Sequence, residues 1–235
     1  MTRAPEPLGA LQNSFVLSVL PPRAQEDLAA LAREERYQPG TLVARQGEIP
    51  DRLWFVAEGS VQLGLYAPDG RVSLLSPLAA GGWATWIACF SPSPWPHDIW
   101  TESGARLLAF PAAAVRRAAQ AYPVVYPRVI ARMGERTREL IGWSLAASLL
   151  DPEARLAYLL AHNCRQISQA PDGPIELSLT QERIGQMGLG TRQRVGRLLA
   201  CLEKRGLVKV RYGGVQVVCL DALERFAGRA GLEGP

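Results

Sequence analysis

Two short helical patterns flank a glycine-rich break in residues 179–205, and the second pattern carries arginine along one side. Thr180 and Thr191 each stand where an N-cap residue begins a helix, although Arg183 replaces the glutamate of a full capping box. Four apolar residues of the second pattern recur at spacings of three and four: Val195, Leu198, Leu199 and Leu202. This periodicity predicts a helix with one buried face and an exposed arginine face. It favours a helix-turn-helix that enters the major groove of DNA over an ordinary amphipathic helix with a solvated arginine face.

The positive charge of the chain is concentrated in the same region. Residues 180–215 hold eight arginine or lysine residues against two acids, whereas the whole chain has a formal charge of only +4. Contacts to phosphates supply most of the non-specific affinity for nucleic acid, so clustered charge of this kind indicates a polyanionic partner. We therefore expect double-stranded DNA as a partner.

Composition excludes several other classes of protein. The chain has 235 residues, of which 48% are apolar, and this suits one large or two modest domains. No apolar run approaches the roughly 18 residues of a membrane span, and Leu8–Leu20 lacks the basic leader of a signal peptide. The four cysteines form no CxxC pair, which argues against a disulfide scaffold, a zinc ribbon or an iron–sulfur cluster. We expect a cytoplasmic protein that does not enter a membrane.

The N-terminal half follows a strand pattern after one helix, which we predict over Pro22–Arg36. Turn dipeptides then separate short apolar runs at even spacing: Thr41–Arg45, Leu53–Ala57, Val61–Tyr66, Val72–Leu75 and Arg106–Phe110. Such spacing indicates an antiparallel sandwich or barrel. Asp69-Gly70 is the clearest hairpin turn.

A long helix is predicted from about Pro123 to Leu150, because apolar residues recur along one side of it. A stripe of this length is a candidate seam for a coiled-coil dimer, and the alternative is that it packs only against the barrel. The proposed dimer residues are Val129, Met133, Leu140, Trp143 and Ala147.

Asp151-Pro152 breaks the long helix and marks a domain boundary. A further helix is predicted from Pro152 to Cys164, followed by a strand over Ile175–Leu179 and then by the paired helices. Leu207–Val210 and Val215–Leu220 complete the pattern as a β-hairpin wing.

In this order of elements, and in several motifs, the chain resembles the cyclic-AMP receptor protein/Fnr superfamily of bacterial transcription regulators over roughly residues 11–220. The motifs are Tyr37-x-Pro39-Gly40, Gln46-Gly47-Glu48, Leu53–Val56 followed by Gly59-x-Val61, and Thr191–Arg197. The resemblance implies an α+β fold with an N-terminal β-roll (jelly roll) like a cyclic-nucleotide-binding domain over residues 1–122. It also implies a long dimerisation helix over 123–150 and a C-terminal winged helix-turn-helix over 151–235.

The resemblance further implies a homodimeric activator that binds a near-palindromic DNA site and contacts RNA polymerase. Arg192, Gln193 and Arg197 match the residues that contact bases, and arginine and glutamine suit guanine and adenine respectively. Gln193 departs from the family's common glutamate, so we expect a different base opposite it. The residues suited to DNA phosphates are Gln181, Thr191, Arg194, Arg211 and Tyr212.

The sensory half departs from members that bind cyclic AMP. Thr85-Trp86 stands where those members have Gly-Glu, and the segment Ser91–Asp98 lacks their Arg-Ser pair. Without that arginine, nothing neutralises a cyclic phosphate. Leu140-Ile141 replaces the hydroxyl residues that touch the adenine. We therefore expect that cyclic AMP is not the effector.

A different effector pocket, or a pocket filled by its own side chains, could replace the cyclic-AMP site. Its candidate residues are Trp83, Thr85, Trp86, His97, Leu140 and Ile141. A filled pocket would make the regulator independent of an effector. Haem bound at His97 is not expected, because a lone histidine is more often a surface or hydrogen-bonded residue than a ligand. No other cofactor and no metal site is expected.

Two other functions are alternatives to that of a DNA-binding regulator. A ligand- or haem-sensing module could regulate a protein partner rather than DNA, but the Arg192 and Arg197 pair argues against this. An enzyme is not expected, because the sequence has no HExxH, phosphate loop, GxSxG or paired-carboxylate constellation.

Overall fold

The computed structural model describes residues 6–49, 51–66, 72–75, 77–91, 93–166 and 173–228. The chain divides into two compact units, residues 1–67 with 75–136 and residues 68–74 with 137–235. Among the described residues, no helix is long and apolar enough to cross a membrane.

The elements up to the long helix follow in chain order. They are α1 (Glu6–Gln12), α2 (Pro22–Ala30), β1 (Arg33–Tyr37), β2 (Leu42–Ala44), β3 (Arg52–Glu58), β4 (Ser60–Tyr66), β5 (Val72–Leu74), β6 (Leu78–Ala79), β7 (Trp83–Ala84), α3 (Trp86–Phe90), β8 (Asp98–Thr101), β9 (Ala105–Pro111), α4 (Ala112–Ala121) and α5 (Val125–Leu149). The Asp69-Gly70 turn lies outside the described residues, but strands β4 and β5 precede and follow it as predicted.

Antiparallel strands form the β-roll of the first unit. One sheet has the order β1-β9-β3-β7, and the other contains β2-β8-β4 with β6 also paired to β4. Successive residues of a strand point to opposite faces, and β3 uses both faces. Leu53 joins the core under the helices with Phe110, whereas Trp54 and Val56 join the core between the sheets. The α+β fold and β-roll predicted from the sequence are confirmed.

The predicted first helix is wrong beyond Ala30. Residues 33–37 instead form β1, which pairs with β9 from Arg33 opposite Ala109 to Tyr37 opposite Ala105. The Glu35 carboxylate pairs with Arg52 and accepts a hydrogen bond from Trp54 Nε1 at 2.9 Å. The strand that pairs with β1 and the side-chain partners of Glu35 on β3 are distant in the sequence, so no local pattern revealed this strand.

The second unit contains β5, part of α5 and the elements that follow α5. They are α6 (Pro152–Gln166), β10 (Ile175–Leu177), α7 (Gln181–Ile184), a π-type turn (Gly185–Leu189), α8 (Arg192–Lys204), β11 (Val208–Arg211), β12 (Gly214–Val217) and α9 (Leu220–Gly228). The strands form an antiparallel sheet in the order β10-β12-β11. The core joins α6 to α8 through Leu156, Leu160, Val195 and Leu199.

Two strands of this unit are shorter than predicted. β10 ends at Leu177, because Thr180 begins α7 as its N-cap. β12 ends at Val217, and Leu220 begins α9 instead of ending the wing. Helix α9 was not predicted from the sequence; its Leu223 and Ala227 face the core one turn apart.

Candidate nucleic-acid interface

Two threonine caps hold the start of each helix of the helix-turn-helix. Thr180 Oγ1 accepts a hydrogen bond from the backbone N–H of Arg183 at 3.3 Å, and Thr191 Oγ1 accepts one from Arg194, also at 3.3 Å. Each cap satisfies a backbone donor that has no partner within the helix. Both caps agree with the prediction, and the second fixes the end of α8 that carries the arginines.

Glycines form the turn between α7 and α8. Gly188 and Gly190 both have φ of 94°, in the left-handed region that favours glycine. The resemblance places the family's turn glycine at Leu189, which is buried between them. The two flanking glycines therefore supply the conformational freedom that one glycine supplies in the family pattern.

Helix α8 buries one face and exposes the other. Val195, Leu199 and Leu202 are buried in the core, as the periodicity predicted. Arg192, Gln193, Arg194 and Arg197 are exposed on the first turns. Arginine and glutamine donors thus project from the N-terminal end of a helix whose other face is fixed in the core.

Two predicted phosphate-binding side chains pack close to the backbone. The Gln181 amide lies against Gly196, where a Cβ would meet Oε1 at 3.1 Å, so α7 and α8 approach closely there. The Arg194 chain folds over Gly190, since a Cβ at Gly190 would lie 3.4 Å from Arg194 Cδ. Thr191 is exposed beside them.

The wing presents Tyr212 and Arg211 to solvent. Tyr212 is fully exposed in the turn between β11 and β12, where Gly213 has φ of 74°. Arg211 donates to Gln216 Oε1 at 3.0 Å, and Gln216 in turn donates to Glu176 at 2.6 Å. This chain of hydrogen bonds across three strands orients the Arg211 guanidinium.

Some of the residues that hold the wing and part of the basic segment in place were not predicted from the sequence. Glu203, at the end of α8, accepts a hydrogen bond from the backbone N–H of Val210 at 2.8 Å. Arg205 pairs with Glu153 at 3.2 Å and lies over the Phe226 ring. No periodicity marks such contacts. Arg205 therefore contributes to packing, although its charge counts toward the basic segment.

The candidate effector residues of the first unit lie among aromatic side chains. The Trp83 ring lies 5.1 Å from Phe55, 5.6 Å from Trp86 and 5.3 Å from Phe110, measured between ring centroids. Trp86 is 8% exposed and stacks on Phe90. These rings form part of the core of their own unit.

Thr85 and His97 have polar partners within the β-roll. Thr85 has φ of 84°, a strained conformation for threonine, and its hydroxyl donates to the Arg52 carbonyl at 2.8 Å. His97 is half-buried, with Nδ1 3.3 Å from the Asp98 carbonyl oxygen and its ring 5.8 Å from that of Trp95. Burial lowers the His97 pKa below its usual value. No group of three possible metal-binding side chains occurs within the described parts of the chain.

The five proposed dimer residues of α5 differ in exposure. Val129 is buried in the core of the first unit, and Met133 packs against that core. Trp143 meets the rings of Tyr158 and His162 edge to face. Leu140 and Ala147 are exposed, as is the neighbouring Ile141. Other apolar residues exposed on this helix are Tyr126, Ile130, Leu145 and Leu149.

Comparison with known proteins assigns both halves of the chain. Residues 34–122 match the family model described as the cyclic nucleotide-binding domain, and residues 154–226 match the Crp-like helix-turn-helix domain. The chain is similar to a CRP-like cAMP-activated global transcriptional regulator of Mycobacterium tuberculosis. The two sequences are 27% identical over 212 residues, which cover 87% of this chain and 93% of that protein.

Solved structures have a similar fold. FixK2 from Bradyrhizobium japonicum matches with a TM-score of 0.72 at 18% identity, over 83% of this chain and 96% of that chain. The c-di-GMP responsive global regulator CLP from Xanthomonas campestris matches with a TM-score of 0.66 at 20% identity, over 83% and 98% of the two chains.

Proposed function

Since this chain is a DNA-binding transcription regulator of the cyclic-AMP receptor protein/Fnr superfamily, we propose that it binds a near-palindromic site as a homodimer and without cyclic AMP. One observation carries the proposal for DNA: the start of α8 exposes Arg192, Gln193 and Arg197 while its opposite face is buried. A recognition helix inserts this end into the major groove.

The exposed side chains divide by chemistry into base-contacting and phosphate-contacting groups. Arg192 and Arg197 can each donate two hydrogen bonds to guanine O6 and N7, and Gln193 can bond adenine. Thr191, Arg194 and Gln181 beside the turn, with Arg211 and Tyr212 on the wing, suit the flanking phosphates. Phosphate contacts fix the register of the protein on DNA without selecting a sequence.

Alanine substitutions test the base-contacting role. Arg192→Ala and Arg197→Ala should each cost about 1–3 kcal/mol on the cognate duplex and relax the preference at one base pair. Arg225→Ala, on the exposed side of α9, is the matched control and should leave affinity unchanged. If the Arg192 and Arg197 variants lost affinity equally on cognate and scrambled duplexes, they would be phosphate contacts only.

Exposed apolar residues of α5 support the proposed homodimer. Tyr126, Ile130, Ile141 and Leu145 are 38–69% exposed, and their spacings of four and eleven residues approximate whole helical turns. We propose that the dimer seam consists of this stripe together with Leu140. Val129 and Trp143 are excluded from it because each packs against residues of its own unit. A near-palindromic site has two half-sites about 34 Å apart, one helical turn of DNA, and a homodimer supplies one copy of α8 for each.

Light scattering with size exclusion tests the seam. Ile130→Glu places a charge at a residue that is 69% exposed, so it should convert the dimer to a monomer without unfolding the chain. Ala113→Glu, which places the same charge at an exposed apolar residue of α4, should leave the dimer intact. If the wild-type protein had the mass of a single chain in solution, the proposed homodimer would be contradicted.

The residues present in the β-roll do not fit a cyclic phosphate. Trp86 is packed on Phe90 where the resemblance places a glutamate, and Asp98 accepts a hydrogen bond from the Gln46 N–H at 2.7 Å. The Asp98 carboxylate would repel a cyclic phosphate, and the segment Ser91–Asp98 lacks the family's arginine that would neutralise that phosphate. The aromatic packing of Trp83 and Trp86 supports a pocket filled by its own side chains. We propose that the chain binds DNA without an effector and without haem.

Calorimetry with cyclic AMP and anisotropy on DNA test effector independence. The full chain should show no heat with millimolar cyclic AMP, and its affinity for the selected site should not change when the nucleotide is added. Saturable heat, or tighter DNA binding with the nucleotide, would contradict the proposal. An absorption spectrum of the purified chain should lack the Soret band of haem.

Activation through RNA polymerase is proposed from the family resemblance. Transcription in vitro from a template carrying the selected site should rise when the regulator is added. A fall in transcript would identify a repressor instead.

A further inference from the structure

A cavity of about 260 Å³ opens within the second unit. The residues that line it are Gly142, Leu145, Tyr158, Ala161, His162, Arg165, Glu224, Ala227 and Gly228. They belong to α5, α6 and α9. None of these residues belongs to α7, α8 or the wing, so the cavity is separate from the candidate DNA interface.

Fixed rings and small residues shape this cavity. The Tyr158 and His162 rings meet Trp143 edge to face, with centroids 5.5 and 5.1 Å away. A Cβ on Gly142 would lie 2.3 Å from the Tyr158 hydroxyl, so only glycine leaves this hydroxyl its place beside α5. Ala161 and Ala227 leave space between α6 and α9 that larger side chains would fill.

Two residues of opposite charge, Arg165 and Glu224, form an ion pair in the lining of the cavity. Arg165 Nε lies 2.6 Å from Glu224 Oε1, and their side chains are 68% and 28% exposed. A purely anionic ligand at Arg165 would face the Glu224 carboxylate, and a purely cationic ligand at Glu224 would face the guanidinium. A zwitterionic ligand, with an anionic group and a cationic group close together, can pair with both residues.

We propose that this cavity binds an α-amino acid with an aromatic side chain. The ligand carboxylate pairs with Arg165, its ammonium pairs with Glu224, and its ring enters the cavity beside Tyr158 and His162. The volume is slightly below the usual range of ligand pockets, about 300–1,000 Å³, which suits a molecule of this size. This site goes beyond the proposed function, since the DNA contacts do not require it.

The cavity is lined in part by α6, and α6 packs against α8, which carries the base-contacting residues. Leu156 and Leu160 of α6 share a core with Val195 and Leu199 of α8. The occupant therefore contacts the helix against which α8 packs.

Isothermal titration of the full chain with L-phenylalanine tests the site without DNA. We expect one site per chain with a dissociation constant below about 1 mM. 3-Phenylpropionate lacks the ammonium group and phenethylamine lacks the carboxylate, so each should bind at least about tenfold more weakly. No heat with millimolar L-phenylalanine, or equal binding of all three compounds, would overturn the proposal.

Substitutions then locate the binding. Glu224→Gln and Arg165→Gln should each weaken L-phenylalanine binding by about tenfold or more, because each removes a charge-assisted contact. Asp221→Asn and Arg225→Gln, exposed residues of α9, are matched controls that should bind like the wild type. Thermal unfolding followed by circular dichroism shows that each variant is folded. Equal affinity in the cavity variants and the controls would place the ligand elsewhere and overturn the assignment.

Discussion

Gly185 and Gly190 meet across the turn that joins α7 to α8. The Gly190 N–H donates to the Gly185 carbonyl at 3.2 Å, and a Cβ on Gly185 would lie 2.2 Å from the Gly190 carbonyl oxygen. Only the absence of a side chain permits this approach. Because Thr191 caps α8 directly after Gly190, the pair sets where the arginine-bearing end of α8 begins.

Gly185→Ala should destabilise the helix-turn-helix. The added methyl group meets backbone rather than a flexible side chain, so the backbone must shift at a cost of about 1–3 kcal/mol. Urea unfolding followed by circular dichroism measures the loss. Gly173→Ala is the control, since a Cβ there meets nothing within 4 Å. Equal stability of the two variants would show that the turn tolerates the methyl group.

Gln193→Glu should change the base preference at one position of each half-site. Glutamine suits adenine, whereas glutamate accepts a hydrogen bond from cytosine N4, and a good base contact discriminates by about 1–3 kcal/mol. Selection from random duplexes with both proteins measures the change. Gln120→Glu, at an exposed residue of α4 in the first unit, should keep the wild-type preference. An unchanged site for Gln193→Glu would remove Gln193 from the base contacts.

Acid should destabilise the first unit through His97. Burial lowers the His97 pKa, so the folded state binds this proton less readily than the unfolded state. The contribution of His97 to stability is present above its usual pKa of 6.5 and is lost as the pH falls below that value. The free energy of unfolding should therefore fall less between pH 7.5 and pH 5 in His97→Gln than in the wild type. If the free energy of unfolding fell equally with pH in His97→Gln and in the wild type, this account would be contradicted.

Thiol reactivity should differ among the cysteines. Burial raises the pKa of Cys89 to about 12 and that of Cys164 to about 11, whereas Cys219 is exposed. Ellman's reagent at pH 8 should label Cys219 first in the native chain, because the thiolate is the reactive form. Cys219→Ser should remove the fast phase, and Cys89 and Cys164 should react only after denaturation. A fast phase that survived in Cys219→Ser would contradict this order.

The sequence predicted the parts of the fold that local pattern controls. The apolar spacing in α8 predicted which face of the helix is buried, and Thr180 and Thr191 predicted both N-caps of the helix-turn-helix. The apolar runs of the β-roll gave most of its strands. Each of these signals is contained within a few neighbouring residues, so a single sequence displays it.

Long-range contacts explain what the sequence did not predict. Strand β1 pairs with the distant strand β9, and its Glu35 contacts Arg52 and Trp54 of β3. The exposed stripe of α5 differs from the predicted one because Val129 and Trp143 pack within the chain. The cavity depends on Tyr158, Arg165 and Glu224 converging from two helices, one of which was not predicted. No local spacing encodes such convergence.

Affinity for a selected duplex, measured against salt, tests the central claim most directly. The full chain is first used to select duplexes from a random library without any added effector. The account predicts a near-palindromic site with half-sites about 34 Å apart, bound about a thousandfold or more tightly than a scrambled duplex. Affinity should fall steeply as salt rises, because Arg194, Arg211 and their neighbours release counterions from the phosphates. Failure to enrich any site, or equal affinity for selected and scrambled duplexes, would contradict the assignment of Arg192, Gln193 and Arg197 to the bases.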